Sequence, residues 1–327
     1  MLLLAASFLV YFRHQIYFSK GSNLEGGLFV VVKGENANVV ASKLVKQNLI
    51  SNRIFFLYYI WKSGALHEIK AGKYQLAAGA TIPEIVKTIT NPNLSSNEVE
   101  VMFREGLSMT EMAQLINDNN LPGTEFLDLC KNPTTEIKNK YDFLKDLNAN
   151  ATLEGYLFPD TYAFAKNASA QLILEKILNN FAKKIDAQTL AEIKNQKKSL
   201  REIIIMASII EKEAGKQEDM GKVSSVFWNR LKIGQRLQSD ATLEYVLGTG
   251  KIQHSVKETQ FKSPYNTYQV AGLPPGPVSN PGLDAIKAAI NPTQSDYLYF
   301  LTDLATKKTI FAKTFEEHVQ NKAKYGL

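Results

Sequence analysis

Two stretches of this chain match one another at a constant offset, and that repeat restricts the folds open to it. Leu28 to Val32 is a β-branched run that reads as a strand; Gly34 follows, and Val39, Val40, Leu44, Val45 and Leu49 then recur at helical spacing. Glu98 to Phe103, Gly106 and the series Met109, Met112, Ala113, Leu115, Ile116 and Leu121 repeat the same order. Gly34 pairs with Gly106, Ala41 with Ala113, Leu44 with Ile116, Asn48 with Asn120 and Leu49 with Leu121. Two strand-then-helix units are expected, too few for a solenoid, which needs at least three.

Local signals support the helix starts. Thr81 with Glu84, Ser108 with Glu111 and Thr314 with Glu317 fit the spacing at which a hydroxyl and a carboxylate satisfy the first free amides of a helix. Gly72 to Leu76 reads as a turn into a strand. Phe55, Phe56, Tyr58, Tyr59 and Trp61 form an aromatic cluster that is read as core rather than as a sugar-stacking platform. In pattern, the first module resembles a LysM domain, a type that binds N-acetylglucosamine polymers.

At 327 residues, 45% of them hydrophobic and 21% charged, the chain is globular and long enough for two or three domains. Its net charge of +6 suits an anionic polymer or membrane surface. No arginine-rich helix, zinc spacing or aromatic RNA-binding motif accompanies that charge, so nucleic acid is not an expected partner. Cys130 is the single cysteine, which rules out a disulfide within the chain, and it follows Phe126, Leu127 and Leu129 on an apolar face that reads as core. Leu2 to Phe12 is apolar on every face; residues 1–19 are read as an uncleaved membrane anchor, although the run is shorter than the roughly 20 residues of a spanning helix.

The chemistry concentrates later. Ile203 to Ile210 is a strongly apolar helical run that ends in Glu211 and Glu213. Burial disfavours a charged carboxyl, raises its pKa and lets it hold a proton near neutral pH, as a general acid must. At 100° per residue the two glutamates face nearly opposite ways, so they are not expected to share a role. A further helix over Val223 to Leu231 ends in Asn229 and Arg230; Gln238 and Asp240 then lead into a short helix that Gly248 stops. Ser263 to Pro277 is a proline-stiffened loop, and its Tyr265, Asn266 and Tyr268 suit the wall of a polar groove. His14, His67, His254 and His318 lack zinc-ligand spacing, and no Walker A loop, dinucleotide glycine motif or nucleophile elbow is present. No metal and no organic cofactor is expected.

Ala207–Gly215 (ASIIEKEAG), Val226–Tyr245 (VFWNRLKIGQRLQSDATLEY), Ser263–Gly282 (SPYNTYQVAGLPPGPVSNPG) and Glu154–Tyr162 (EGYLFPDTY) together resemble the endolytic murein transglycosylase, or YceG-like, family. The resemblance implies an α+β fold: a membrane anchor (1–19), a LysM-like subdomain (24–95) and a lytic-transglycosylase catalytic domain (96–327). It implies non-hydrolytic cleavage of peptidoglycan glycan strands at the bacterial inner membrane, with the catalytic part outside the cytoplasm, a single-pass anchor and cell-wall synthases as partners. Related sites place the acid just before a small residue, which assigns the general acid and base to Glu213, ahead of Ala214, and leaves Glu211 a positioning role. Asn229, Gln238, Asp240, Tyr265, Asn266 and Tyr268 are the substrate-binding candidates, whereas Glu154 and Asp160 are read as bracing the fold. A peptidoglycan-binding scaffold for synthases and a lysozyme-type hydrolase are the alternative readings.

Overall fold

Short strands and many helices make up an α+β protein. The computed structural model describes residues 11–17, 27–90, 98–145, 147–148, 150–251, 253–303, 306 and 308–326. The chain divides into two units, one running to Glu100 and including Ala163–Lys166, the other comprising Val101–Tyr162 and Asn167–Leu327.

In the first unit β1 (Gly27–Val31) pairs antiparallel with β2 (Gly72–Leu76), Phe29 opposite Tyr74. Phe29 and Val31 turn inward while Leu28 stays exposed, the period of two that a half-buried strand requires. α2 (Ala37–Lys46), α3 (Arg53–Lys62) and α4 (Ile82–Thr90) complete a core that includes Val40, Leu44, Phe56, Ile60, Ile85 and Ile89. Part of the expected anchor, residues 1–10 and 18–19, lies outside the described residues. Its remaining part, residues 11–17, is a helix, α1, whose Phe12 meets Phe55 and Tyr58 edge-on and whose Tyr17 meets Tyr59. Of the α3 aromatics Phe56 is buried and Phe55 and Tyr59 are partly so, as a core reading requires, whereas Tyr58 and Trp61 stay exposed. Among the described residues no helix is long and apolar enough to cross a membrane.

β3 (Glu98–Met102) opens the second copy of the repeat, and α5 (Met109–Asp118) follows it. The copies agree in backbone detail. Asn36 and Ser108 cap α2 and α5; Asn48 and Asn120 both adopt φ 57°, a left-handed conformation asparagine tolerates; Leu49 and Leu121 then donate back to Leu44 and Ile116. The likeness extends to a strand not expected above, β4 (Thr161–Ala165), which pairs with β3. The hydroxyl of Tyr162 on β4 donates to the carbonyl four residues earlier, as that of Tyr74 does on β2.

In the second unit α6 (Gly123–Lys131), α7 (Thr135–Lys140), α8 (Ala170–Lys184) and α9 (Ala187–Asn195) precede the central α10 (Leu200–Glu213). Every residue from Ile203 to Ile210 is buried, so α10 is apolar all round because it is surrounded: α11 (Met220–Lys232), α12 (Asp240–Leu247) and α13 (Leu283–Ile290) pack on it. Its one polar interior residue, Ser208, accepts from the Val278 amide and offers its carbonyl to the Ser279 hydroxyl, which fastens the 263–282 loop to the helix. A hairpin of β5 (Tyr299–Thr302) and β6 (Thr309–Ala312) carries the last helix, α14 (Phe315–Tyr325), capped by Thr314 as its sequence predicts. Cys130 is fully buried on α6, and burial pushes its thiol well up, which keeps it unreactive.

Candidate active site

The two glutamates of α10 take separate surroundings. Glu213 is partly buried, and its Oε1 accepts from the Ser239 hydroxyl at 2.6 Å and the Ala241 amide at 3.1 Å. It therefore occupies the N-terminus of α12, whose Gly248 ends the helix in the left-handed conformation expected of it. A helix N-terminus favours a carboxylate by about 0.3–1 kcal/mol at exposed sites, whereas burial of a charge costs several kcal/mol. Burial wins: together with the nearby Asp240 carboxylate it raises the Glu213 pKa against the pull of Ser239 and Ala241. Glu211 goes the other way and accepts from the Gly282 amide, at the start of α13, at 2.9 Å. Burial, Glu105 and Asp284 raise its pKa too.

Asp240 begins α12, and the Tyr268 hydroxyl donates to its Oδ1 at 3.0 Å. Burial raises the Asp240 pKa against that bond, while burial and Asp240 push the Tyr268 hydroxyl up. Gln238 is exposed, has φ 52°, and accepts from Arg230 Nη1 at 3.3 Å. Glu213, Gln238, Asp240 and Tyr268 thus gather at the start of α12 with some surface open to solvent.

The other candidates lie apart from that cluster. The side-chain amide of Asn229 donates to the Ser295 and Tyr297 carbonyls, 2.8 and 3.0 Å away, and so ties α11 to the segment before β5. Asn266 is 0% exposed; its amide donates to the Thr259 and Phe261 carbonyls and its oxygen accepts from the Tyr268 amide. Its bonds hold the loop from within, and Asn266 has no surface to offer a ligand. Tyr265 packs against Tyr245, with ring centroids 5.1 Å apart. Asp160 is bonded to Asn180 and Lys184 at the protein surface.

Glu154 is 1% exposed and lies beneath α12. It accepts from the Met109 amide (2.9 Å), the Asn280 side chain (2.8 Å) and the Tyr245 hydroxyl (3.4 Å), yet burial still lifts its pKa to about 8. Asn280 also receives the Gly155 and Leu157 amides and donates to the Leu107 carbonyl, so one side chain joins three distant segments.

Three contributors have no role in the sequence reading. Ser239 anchors Glu213 and is itself held by Thr267, whose hydroxyl accepts from the Ser239 amide at 3.0 Å. Arg230, 7% exposed, donates to the Leu298 and Leu237 carbonyls and lies over the Tyr299 ring, fixing the turn into Gln238. Ser239 was legible as a helix-start residue; that its hydroxyl serves Glu213 instead of its own helix was not. Among the described residues no group of His, Cys, Asp and Glu side chains could hold a metal ion.

An α+β scaffold that presents a carboxyl with a raised pKa at a helix N-terminus, beside a polar and partly open rim, defines a protein equipped for acid–base chemistry by a carboxyl group. The chain belongs to the YceG-like family, whose pattern it matches over residues 29–324. It is 33% identical over 306 residues to an endolytic murein transglycosylase of Bacillus subtilis, covering 90% of this chain and 83% of that one. With the endolytic murein transglycosylase of Streptococcus pneumoniae (serotype 2, strain D39) it shares 29% identity over 90% of its own length and 57% of the relative's. The crystal structure of a putative YceG-like protein from Listeria monocytogenes superposes with a TM-score of 0.63 at 33% identity, over 91% of this chain and 99% of that one.

Proposed function

We propose that this protein is an endolytic lytic transglycosylase, a lyase that cuts peptidoglycan glycan strands between N-acetylmuramic acid and N-acetylglucosamine. The observation that carries the reading is the Glu213 carboxyl, inclined to stay protonated by its burial and by Asp240, and oriented by Ser239 and Ala241. In its acid form Glu213 gives its proton to the glycosidic oxygen as the bond to C1 of the muramic residue breaks. As carboxylate it then takes the proton of the C6 hydroxyl while O6 bonds to C1, which closes the 1,6-anhydro ring and returns the acid. One carboxyl thus acts twice, and no water is activated, in contrast to the two-carboxylate hydrolases.

Gln238, Asp240 and Tyr268 are the substrate contacts this reading favours, with Asn229 and Asn266 fixing the segments that carry them; Tyr265 joins them farther along the loop, and Glu211 holds α13. In the wider organisation, residues 1–19 anchor the chain in the inner membrane, residues 24–95 form a LysM-like glycan-binding subdomain, and residues 96–327 carry out catalysis outside the cytoplasm beside cell-wall synthases. Nascent strands are then the substrate, and cleavage ends their elongation.

Mass spectrometry of peptidoglycan digested with the protein is the test. Anhydro-muropeptides from the wild type that vanish in Glu213→Gln would support both reaction and residue. Reducing ends would mean a hydrolase, and intact glycan that is nonetheless bound would mean a scaffold.

A further inference from the structure

The segment that leaves α12 turns back on the helix. Glu244 accepts from the Thr249 hydroxyl and the Gly250 amide, and Glu258 accepts from the Ser255 amide and hydroxyl and from Lys251. His254 lies between these two carboxylates with its side chain fully buried. Its Nε2 is 3.2 Å from Glu244 Oε2 and its Nδ1 is 3.9 Å from Glu258 Oε2, yet neither nitrogen makes a hydrogen bond. A neutral imidazole offers one N–H, and a carboxylate toward each nitrogen asks for two; only the imidazolium has both. Asp240 and Glu244 are one turn apart on the same side of α12, and His254 acts on both carboxyls.

We propose that His254 is a positioning residue of the Glu213 site: as the imidazolium it clasps Glu244 to Glu258 and so holds the start of α12, with Asp240 and the Ala241 amide, against Glu213. The proposal rests on the assignment of Glu213 for its bearing on turnover, whereas the clasp itself stands on geometry. The charged groups that face the ring are Asp240 and Glu244 from α12 and Glu258, with its partner Lys251, from the returning segment. The Lys251 and Ser255 bonds hold Glu258 down to about 2; Glu244 is also lowered, its burial outweighed by Thr249, Gly250 and His254. Both carboxylates therefore stay ionised near neutral pH and face the ring as anions.

Nitrogen NMR of the full chain labelled at histidine, with His254→Gln used to assign the signal, is expected to show both ring nitrogens protonated at pH 5.5; a singly protonated ring there would overturn the proposal. Tryptic cleavage at Lys251 and Lys257, scaled to a reference peptide, should be faster in His254→Gln than in the wild type. Identical cleavage profiles would count against the clasp. These two readouts need no turnover, so they hold or fail independently of Glu213. With glycan substrate, kcat of His254→Gln should fall below wild type while KM stays close to it; an unchanged kcat would reduce His254 to packing.

Discussion

Glu211 and Glu213 leave the end of α10 in opposite directions, and each carboxyl meets the N-terminus of a different helix: Glu211 at the Gly282 amide of α13, Glu213 at the Ala241 amide of α12. One buried helix thereby orients two others through acids two residues apart. Only the α12 side gathers Asp240, Gln238 and Tyr268 near the carboxyl.

That division separates the two substitutions. Glu213→Gln should lower anhydro-muropeptide release by about 10²–10⁴-fold, the usual contribution of a general acid or base. Glu211→Gln retains an oxygen for the Gly282 amide and should keep most of the rate. Quantified digests of both variants check this, and equal losses would move the chemistry away from Glu213.

The pH limit of the reaction should move in opposite directions in two other variants. Activity is expected to fall as pH rises through the raised Glu213 value. Ser239→Ala removes a donor that favours the carboxylate, so the alkaline limb moves to higher pH; Asp240→Asn removes a charge that disfavours it, so the limb moves lower. Profiles of kcat/KM for the two proteins decide the point, and shifts of the same sign would disprove the coupling.

Glu154 makes a prediction about stability. Its folded value of about 8 exceeds the ordinary carboxyl value of 4.5, so the folded state holds a proton that the unfolded state has lost between those limits. That retained proton makes stability fall as pH rises from about 4.5 to 8. Glu154→Gln keeps an acceptor for Met109 and Asn280, and should flatten that decline. Denaturant unfolding at several pH values, wild type against variant, measures it.

Gly155 sits at φ 87°, and a Cβ there would lie 2.5 Å from Pro277 and 2.7 Å from Ile204. Gly155→Ala should cost about 2–4 kcal/mol through strained backbone and overpacking together. A midpoint unchanged in urea would show that the loop yields.

Much of this was legible in the sequence because it is local. The repeated modules, the caps at Ser108 and Thr314 and the Gly248 stop follow from periodicity and turn chemistry within a few residues. The buried α10 showed as an unbroken apolar run. β4 was missed although Tyr162 and Phe164 alternate inward along it, because a five-residue alternation is a weak signal and its pairing with β3 is formed across some sixty intervening residues. Asn229 and Asn266 looked available for a ligand because residue type says nothing of where an amide spends its bonds; both are committed to backbone carbonyls. The service of Ser239 to Glu213 is likewise a tertiary fact.

Asn280 joins Leu107 and Glu154 across sequence separations of 173 and 126 residues. Contacts that close such long loops form slowly, since the chain loses the freedom of every residue between before any bond repays it. During synthesis the first module is complete long before residue 280 leaves the ribosome, whereas Glu154 keeps no side-chain amide opposite it until then. The chain therefore matures in order, first unit before second, and an unfinished copy carries in Glu154 a carboxyl whose side-chain amide partner has yet to arrive.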